Sequence, residues 1–110
     1  MSKSLQHQVI FRALEIISDE GKWTEGALAR DQHRHSCQAI APEAVRFCAV
    51  GALERAAFEL LGHSAEPLFL ADIENIVLTA NGCTKRTLAQ VNDQVGREAV
   101  VELFKKALAL

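Results

Sequence analysis

The segment from Pro42 to Gly62 constrains the fold of this chain more than any other feature of its sequence. Plotted at about 100° per residue, its apolar side chains form one continuous arc, and its charged side chains leave no broad polar face. Pro42 suits the first position of a helix, and Gly62 suits its end. The pattern predicts a helix over about 43–61 that is buried in the middle of the fold. The residues of the arc are Val45, Ala49, Val50, Ala52, Leu53, Ala56, Ala57 and Leu60.

Three further stretches have the apolar spacing of amphipathic helices. Residues 5–20 place their apolar side chains on one half of the helical wheel, and Gly21 follows as an end signal. Residues 67–80 begin at a proline, and residues 96–110 oppose an apolar face to one of glutamates and lysines. These patterns predict three more main helices.

Two shorter segments have weaker helical signals. Residues 25–29 could form a short helix capped by Thr24, and residues 85–91 could form another capped by Thr84. Residues 32–41 are polar and lack periodicity, so they read as a connecting loop.

We therefore expect an all-α fold in a single domain that covers residues 1–110. Four main helices and one or two short ones pack around the buried central helix, in an orthogonal or bundle-like arrangement. The length of 110 residues, with 49% hydrophobic and 24% charged residues, suits one globular core. No segment has the pattern of a convincing strand.

The charge balance argues against nucleic acid as a partner, because 12 basic and 14 acidic residues are mixed along the chain and give a net charge of -2. We also expect no membrane association, since there is no leader pattern and no apolar stretch near the ~20 residues that a bilayer requires. Three cysteines favour reduced thiols over a disulfide framework. These features predict a cytoplasmic protein.

Three ordered motifs carry a resemblance to a known family. They are WTEGALARD at residues 23–31, RFCAVGALERA at residues 46–56, and Asn92-Asp93 followed by GRE at residues 96–98. In this order the chain resembles a family of small uncharacterised helical domains from bacteria and phages. The resemblance implies a shared fold and a bacterial origin, and it carries over no activity and no catalytic residues.

The strongest candidate for a metal site is the run that contains His33, His35 and Cys37. Imidazole and thiolate groups are zinc ligands, and Cys48 or His63 could complete a tetrahedral set. The three candidates crowd one loop and no second ligand pair exists, so a solvated polar loop is the favoured interpretation. We expect no metal and no cofactor.

Cys48 is a candidate nucleophile, because a thiol near a helix start could be activated by the helix dipole and by a base such as His35. Its apolar neighbours favour a different interpretation, in which Cys48 behaves as a small core hydrophobe. We expect a buried and unreactive thiol.

Arg46 falls inside the apolar arc of the central helix, between Leu53 and Ala57 on the wheel. A guanidinium there needs a partner, and Asp31 or Asp93 could supply a two-pronged carboxylate contact. The three residues therefore form a candidate structural clamp or, as the alternative, a charged pocket that holds an anionic ligand. The remaining possibility is that Arg46 extends to water.

Trp23, the single tryptophan, could anchor a partner interface. A core or core-edge position is the favoured interpretation, because the large ring adds much apolar burial to a small domain. Asn92 and Asp93 resemble a polar active-site pair, but a turn and a helix cap explain both, with Asp93 as a candidate cap of the last helix.

Two classes of function remain. The favoured class is a small helical interaction module without catalytic activity, which binds a protein partner or another copy of itself through an exposed apolar helix face. The alternative is a small ligand-binding domain or enzyme with a charged pocket around Arg46, Asp31 and Asp93.

Overall fold

The computed structural model describes residues 4–83 and 85–109. Within these residues the chain is mostly helical, with a small antiparallel sheet inserted after the first helix. The elements are α1 (Leu5–Ser18), a 3-10 turn (Glu20–Lys22), β1 (Ala29–Arg30), β2 (Ser36–Cys37), β3 (Arg46–Phe47), α2 (Ala49–Leu61), α3 (Pro67–Ala80), α4 (Leu88–Gln94) and α5 (Arg97–Ala109).

Helix α1 begins at a side-chain cap, and a second side-chain cap starts the turn that follows it. The Ser4 hydroxyl accepts a hydrogen bond from the backbone N–H of His7 at 3.2 Å and so satisfies one free donor of the first turn. After Ser18 the carboxylate of Asp19 accepts from Gly21 N at 2.9 Å and starts the 3-10 turn. The helix is therefore slightly shorter than predicted, because the residues after it are capped as a separate turn.

Helix α2 is the buried central helix, but it begins at Ala49 and not near residue 43. Cys48 occupies the cap position, where its Sγ accepts a hydrogen bond from Gly51 N at 3.3 Å. Gly62 ends the helix with a left-handed φ of 79°, as its position in the sequence indicates. The predicted burial is confirmed, since Ala49 and Leu53 are almost completely inaccessible to solvent.

Two members of the predicted apolar arc lie at the surface. Val45 precedes α2 and is exposed, because the chain there is extended and does not follow the helical wheel. Leu60 lies in the last turn of α2 and is 43% exposed. The first and the last residue of the predicted apolar arc are therefore not part of the buried face.

The three strands form one antiparallel sheet in which β1 lies between β2 and β3. The all-α prediction is therefore wrong in this region. Residues 25–29 do not form the predicted short helix, and the predicted connecting loop at 32–41 contains strand β2. Backbone pairing with other segments is the reason. Ala29 and Arg30 pair with Cys37 and Ser36, respectively, and Leu28 O accepts a hydrogen bond from Cys48 N at 3.1 Å.

Gly51 allows the chain before β1 to lie directly on α2. The carbonyl of Leu28 accepts a hydrogen bond from Cys48 N at 3.1 Å, and a Cβ added to Gly51 would lie 1.8 Å from that same carbonyl oxygen. Position 51 therefore has no room for a side chain, because the backbone of the irregular segment before β1 occupies that space.

The core lies between α1, α2 and α5, with α3 packed on α5 and α4 packed on α2 and α5. Its largest fully buried apolar side chains come from all five helices: Val9, Ile10, Ile17, Leu53, Ile73, Val77, Leu88, Val100 and Phe104. Arg97 joins two helices, since its Nη1 donates to the carbonyls of Ile17 and Ser18 at the end of α1. A cation at that end also complements the helix dipole.

The last three helices lie close to their predicted ranges. Helix α3 has the predicted bounds, and α5 differs from the prediction by one residue at its start. Helix α4 begins later than predicted, because Thr87 and Gln90 form a reciprocal capping box at its first turn. Thr84, the predicted cap, lies outside the described residues. Asp93 belongs to α4, so the prediction that it caps the last helix is wrong.

Within residues 4–83 and 85–109, no helix combines the length and the apolar character that a membrane span requires.

Candidate functional site

Asn92 is the centre of a buried hydrogen-bond network that joins three distant segments. Its Oδ1 accepts from Trp23 Nε1 at 2.8 Å and from Ala49 N at 2.9 Å. Its Nδ2 donates to Thr24 O at 3.1 Å and to Asp93 Oδ1 at 3.0 Å. All four hydrogen-bonding positions of the amide are used, so Asn92 is a structural residue inside α4.

Trp23 and Asp93 lie at the edges of this network. The indole of Trp23 is half-buried, in agreement with the predicted core-edge position. Asp93 is exposed, and its Oδ1 also accepts from Gly26 N at 3.1 Å, which ties α4 to the turn before β1. Whether Trp23 contacts a partner stays a prediction.

Asp31 organises its own turn. Its Oδ1 accepts hydrogen bonds from His33 N at 2.8 Å and from His35 N at 2.9 Å, and these backbone bonds lower the pKa of the carboxyl group. The carboxylate therefore stabilises the connection between β1 and β2, where His33 and His35 are both exposed.

Arg46 lies on β3, half-buried and directly opposite Arg30 on β1. Among the described residues it forms no ion pair, and both predicted partner carboxylates are bound elsewhere. The predicted clamp of Arg46 with Asp31 or Asp93 is therefore wrong, because β3 places Arg46 on the sheet and not on the central helix. A ligand-binding role of Arg46 stays a prediction.

Arg55 is the arginine that ties α2 to the preceding loop, and the sequence reasoning missed it. Its Nη1 donates to Ala39 O at 3.2 Å and to Ala41 O at 2.9 Å, and its guanidinium lies 5.8 Å from the centre of the Phe47 ring. The available signal was its position in a helix with few polar residues, where a cation needs acceptors.

The candidate metal ligands do not converge. The rings of His33 and His35 have centroids 6.2 Å apart, and both point from an exposed turn that ends at the half-buried Cys37. In the part of the chain that the structure describes, no group of three or more His, Cys, Asp or Glu side chains has an arrangement that could hold a metal ion.

Cys48 is buried, as predicted, with 5% of its surface exposed. Burial raises the pKa of its thiol, and this effect outweighs the hydrogen bonds that Sγ accepts at the helix start. The thiol therefore stays protonated near neutral pH and serves as a helix cap.

An apolar groove of about 580 Å³ lies between α1, α2 and α5, and it was not predicted as a site. Phe11 on α1, Leu60 on α2 and Leu108 on α5 supply its apolar lining. Phe11 is 55% exposed although it is a large aromatic side chain. The sequence signal was Phe11 itself, which falls among Gln8, Arg12 and Glu15 on the polar half of α1.

Charged side chains of both signs border this groove. Arg12 Nη2 contacts Glu59 Oε1 at 3.1 Å, and Arg12 Nε donates to the same oxygen at 3.3 Å, so α1 and α2 are bridged at the rim. The hydrogen bonds that Arg12 donates to Glu59 raise the pKa of Arg12. Glu15 lies 3.8 Å from Arg12 Nη1 on the next turn of α1. The groove therefore has an apolar floor and a mixed-charge edge.

These features define the class of the protein as a small, mostly helical domain with a minor three-stranded antiparallel sheet. The chain belongs to a family of unknown function (DUF6197), whose model matches residues 1–110. The expected membership in an uncharacterised family of small domains is thereby confirmed. No curated protein and no solved structure matches the chain.

Proposed function

We propose that this domain is a self-associating interaction module, in which two copies pack through the groove between α1, α2 and α5. The observation that carries the proposal is the exposure of Phe11 and Leu60 beside an apolar groove. Exposed aromatic side chains next to a concave apolar surface are typical of interface anchors. A partner that covers this surface would remove its apolar area from water, and this removal would stabilise the complex.

A second copy suits the groove because the rim carries both charge signs. In a twofold contact with its axis perpendicular to α1, the two α1 helices run antiparallel, and each surface meets its own copy. Arg12 of one copy then approaches Glu15 of the other, and the same pair forms a second time. Such reciprocal charge complementarity favours the correct pairing over a partner of uniform charge.

The proposed function is binding without catalysis. Among the described residues, every buried side-chain nitrogen and oxygen atom has a hydrogen-bond partner, as expected of a structural network. Cys48 adds support, since its pKa is raised by burial and not lowered as in a nucleophile.

We also propose that the domain functions in the cytoplasm of a bacterium. The bacterial origin rests on the resemblance of its motifs. The compartment is supported by Cys37, Cys48 and Cys83, which are all free thiols in the structure, as is usual where glutathione and thioredoxin keep cysteines reduced.

The experiment is multi-angle light scattering coupled to size-exclusion chromatography over a range of protein concentrations. Wild-type protein is expected at twice the mass of one chain, whereas Phe11→Asp and Leu60→Asp are expected at the mass of a monomer. Both side chains are substantially exposed, so the variants retain the fold, and circular dichroism checks this.

Leu68→Asp is the matched control. Leu68 is an apolar residue on α3 with 82% exposure, and it does not line the groove. This variant is expected to remain a dimer. A monomeric wild type at about 100 µM would refute self-association. If such a monomer captured a host protein that Phe11→Asp does not bind, the groove would belong to a different protein partner.

A further inference from the structure

A cleft of about 480 Å³ lies beside the small sheet and shares no lining residue with the apolar groove. Three arginines line it: Arg30 on β1, Arg46 on β3, and Arg34 in the turn that joins β1 to β2. Trp23 and Thr24 also line the cleft. The sheet therefore gathers three cations around one concave surface in a chain whose net charge is -2.

Neutral acceptors hold the guanidinium of Arg30 in place. Its Nε donates to Thr24 Oγ1 at 3.0 Å, its Nη1 to Arg34 O at 3.0 Å, and its Nη2 to Glu25 O at 3.2 Å. These bonds fix the plane of the group and use three of its five N–H donors. None of these acceptors carries a formal charge, so the positive charge of Arg30 is oriented but not neutralised.

Arg46 increases this charge, because Arg30 and Arg46 are directly opposite each other in the antiparallel pair of β1 and β3. Like charges at such positions destabilise a sheet. Glu20 and Glu25 border the cleft, yet none of the ion pairs found among the described residues includes Arg30, Arg34 or Arg46. The sheet would therefore gain stability from an anion between these arginines.

Arg34 adds a second unfavourable feature at the same place. Its φ of 68° lies in the left-handed region, which asparagine and glycine adopt much more readily than arginine. In this conformation the carbonyl of Arg34 accepts the hydrogen bond from Arg30, and its exposed side chain lines the cleft. The unfavourable backbone conformation of Arg34 is explained if its positive charge takes part in binding an anion in the cleft.

We propose that the cleft binds a small phosphorylated anion through Arg30, Arg34 and Arg46. Guanidinium groups match the geometry of phosphate oxygens, and the multiple charge of a phosphate compound balances several arginines better than one carboxylate does. The volume lies in the range of small-molecule sites. This inference is independent of the self-association proposed above, because the two surfaces are lined by different residues.

Inorganic pyrophosphate is the probe for the first test. Trp23 lines the cleft and is the single tryptophan of the sequence, so its fluorescence reports on the site directly. We expect a saturable change in fluorescence, confirmed by isothermal titration calorimetry, which weakens as sodium chloride is added. Citrate, a carboxylate anion of comparable charge, is expected to bind at least about tenfold more weakly.

Arg46→Gln and Arg34→Asn test the assignment of residues, since within the described part of the chain neither side chain makes a hydrogen bond or ion pair that the fold would lose. Asparagine also tolerates the left-handed backbone of residue 34. Each variant is expected to weaken pyrophosphate binding by about tenfold or more. Arg86→Gln, which removes an exposed arginine outside the cleft, is expected to bind like wild type, and so is Phe11→Asp.

Thermal unfolding separates a binding role from a structural one. Without pyrophosphate, Arg46→Gln is expected to unfold at a higher temperature than wild type, because the repulsion with Arg30 is removed. Pyrophosphate is expected to raise the unfolding temperature of wild type more than that of this variant. The proposal is overturned by no saturable signal up to about 10 mM pyrophosphate, by equal binding of citrate, or by unchanged binding in both arginine variants.

Discussion

The indole N–H of Trp23 and the backbone N–H of Ala49 donate to one oxygen, Asn92 Oδ1, at 2.8 Å and 2.9 Å. A single amide thus connects the segment before the sheet, the start of the central helix and α4. Asn92 itself is completely buried, and a buried polar side chain depends on protein partners for its hydrogen bonds.

Asn92→Ala is therefore expected to lower the free energy of unfolding by about 3 kcal/mol, since the buried N–H of Ala49 and the half-buried indole N–H of Trp23 both lose their acceptor. Urea denaturation followed by circular dichroism measures this loss. Asn75→Ala, at an exposed position of α3, is the matched control and should change stability by less than about 0.5 kcal/mol. Equal stability of the two variants would show that the network contributes nothing.

Gly51→Ala is expected to destabilise the domain, although alanine normally stabilises a helix relative to glycine. The added Cβ would collide with the backbone carbonyl of Leu28, which cannot rotate away as a side chain could. We expect a loss of about 3 kcal/mol in urea denaturation.

Gly21→Ala is the control for this substitution, because the nearest atom to its added Cβ is Asp19 Oδ1 at 3.3 Å, the end of a side chain. It should change stability by less than about 1 kcal/mol. A stabilising effect of Gly51→Ala would mean that the Leu28 backbone does not lie on α2 in solution.

Glu54 on α2 and Glu74 on α3 give the domain a pH-dependent component. Partial burial raises the pKa of both carboxyl groups, and the charge of Glu54 raises that of Glu74 further. The folded state then binds these protons more tightly than the unfolded chain does. This contribution to the free energy of unfolding therefore decreases as the pH rises from the ordinary carboxyl pKa through the raised values.

Glu74→Gln removes one of the two charges, so it is expected to stabilise the domain near pH 7 by less than about 1 kcal/mol. The advantage should vanish at acidic pH, where Glu74 is protonated. Urea denaturation from pH 4 to pH 8 measures the difference in free energy of unfolding between this variant and wild type. Asp31 contributes a pH dependence of opposite sign, but it does so in both proteins, so its contribution cancels in the difference. Glu102→Gln, at an exposed position of α5, should give no such pH-dependent gain.

Cys48 is expected to react with iodoacetamide at least about tenfold more slowly than Cys83 in native protein, because its thiol is buried and its pKa is raised. Peptide mass spectrometry at timed intervals measures both rates. In denaturant the two cysteines should react at similar rates. Faster labelling of Cys48 in the native state would restore the case for an activated thiol.

The local apolar pattern was sufficient to predict α1, α3 and α5, because these helices bury one face and end at ordinary caps and turns. It failed between residues 42 and 48, where the spacing continues but the backbone forms a turn and then strand β3. The cause is the hydrogen bond from Val45 to Arg30 and its neighbours, which join residues that are distant in sequence. A helical wheel contains no information about such pairing.

The candidate site was predictable only in part, for the same physical reason. The burial of Cys48 followed from its apolar neighbours. The position of Arg46 depends on the register of the sheet. The position of Asn92 depends on contacts such as its hydrogen bond with Trp23, which is 69 residues away in the sequence. Phe11 is recognisable in the sequence as an aromatic residue on the polar face of α1, and it lines the apolar groove between α1, α2 and α5.

The network around Asn92 also sets an order in which the domain can mature during synthesis. Trp23 and Ala49 leave the ribosome well before their shared acceptor, which lies in the final fifth of the 110-residue chain. The nascent polypeptide must keep this unfinished region free from wrong associations until α4 emerges. The exposed groove is likewise incomplete until Leu108 of α5 has been synthesised.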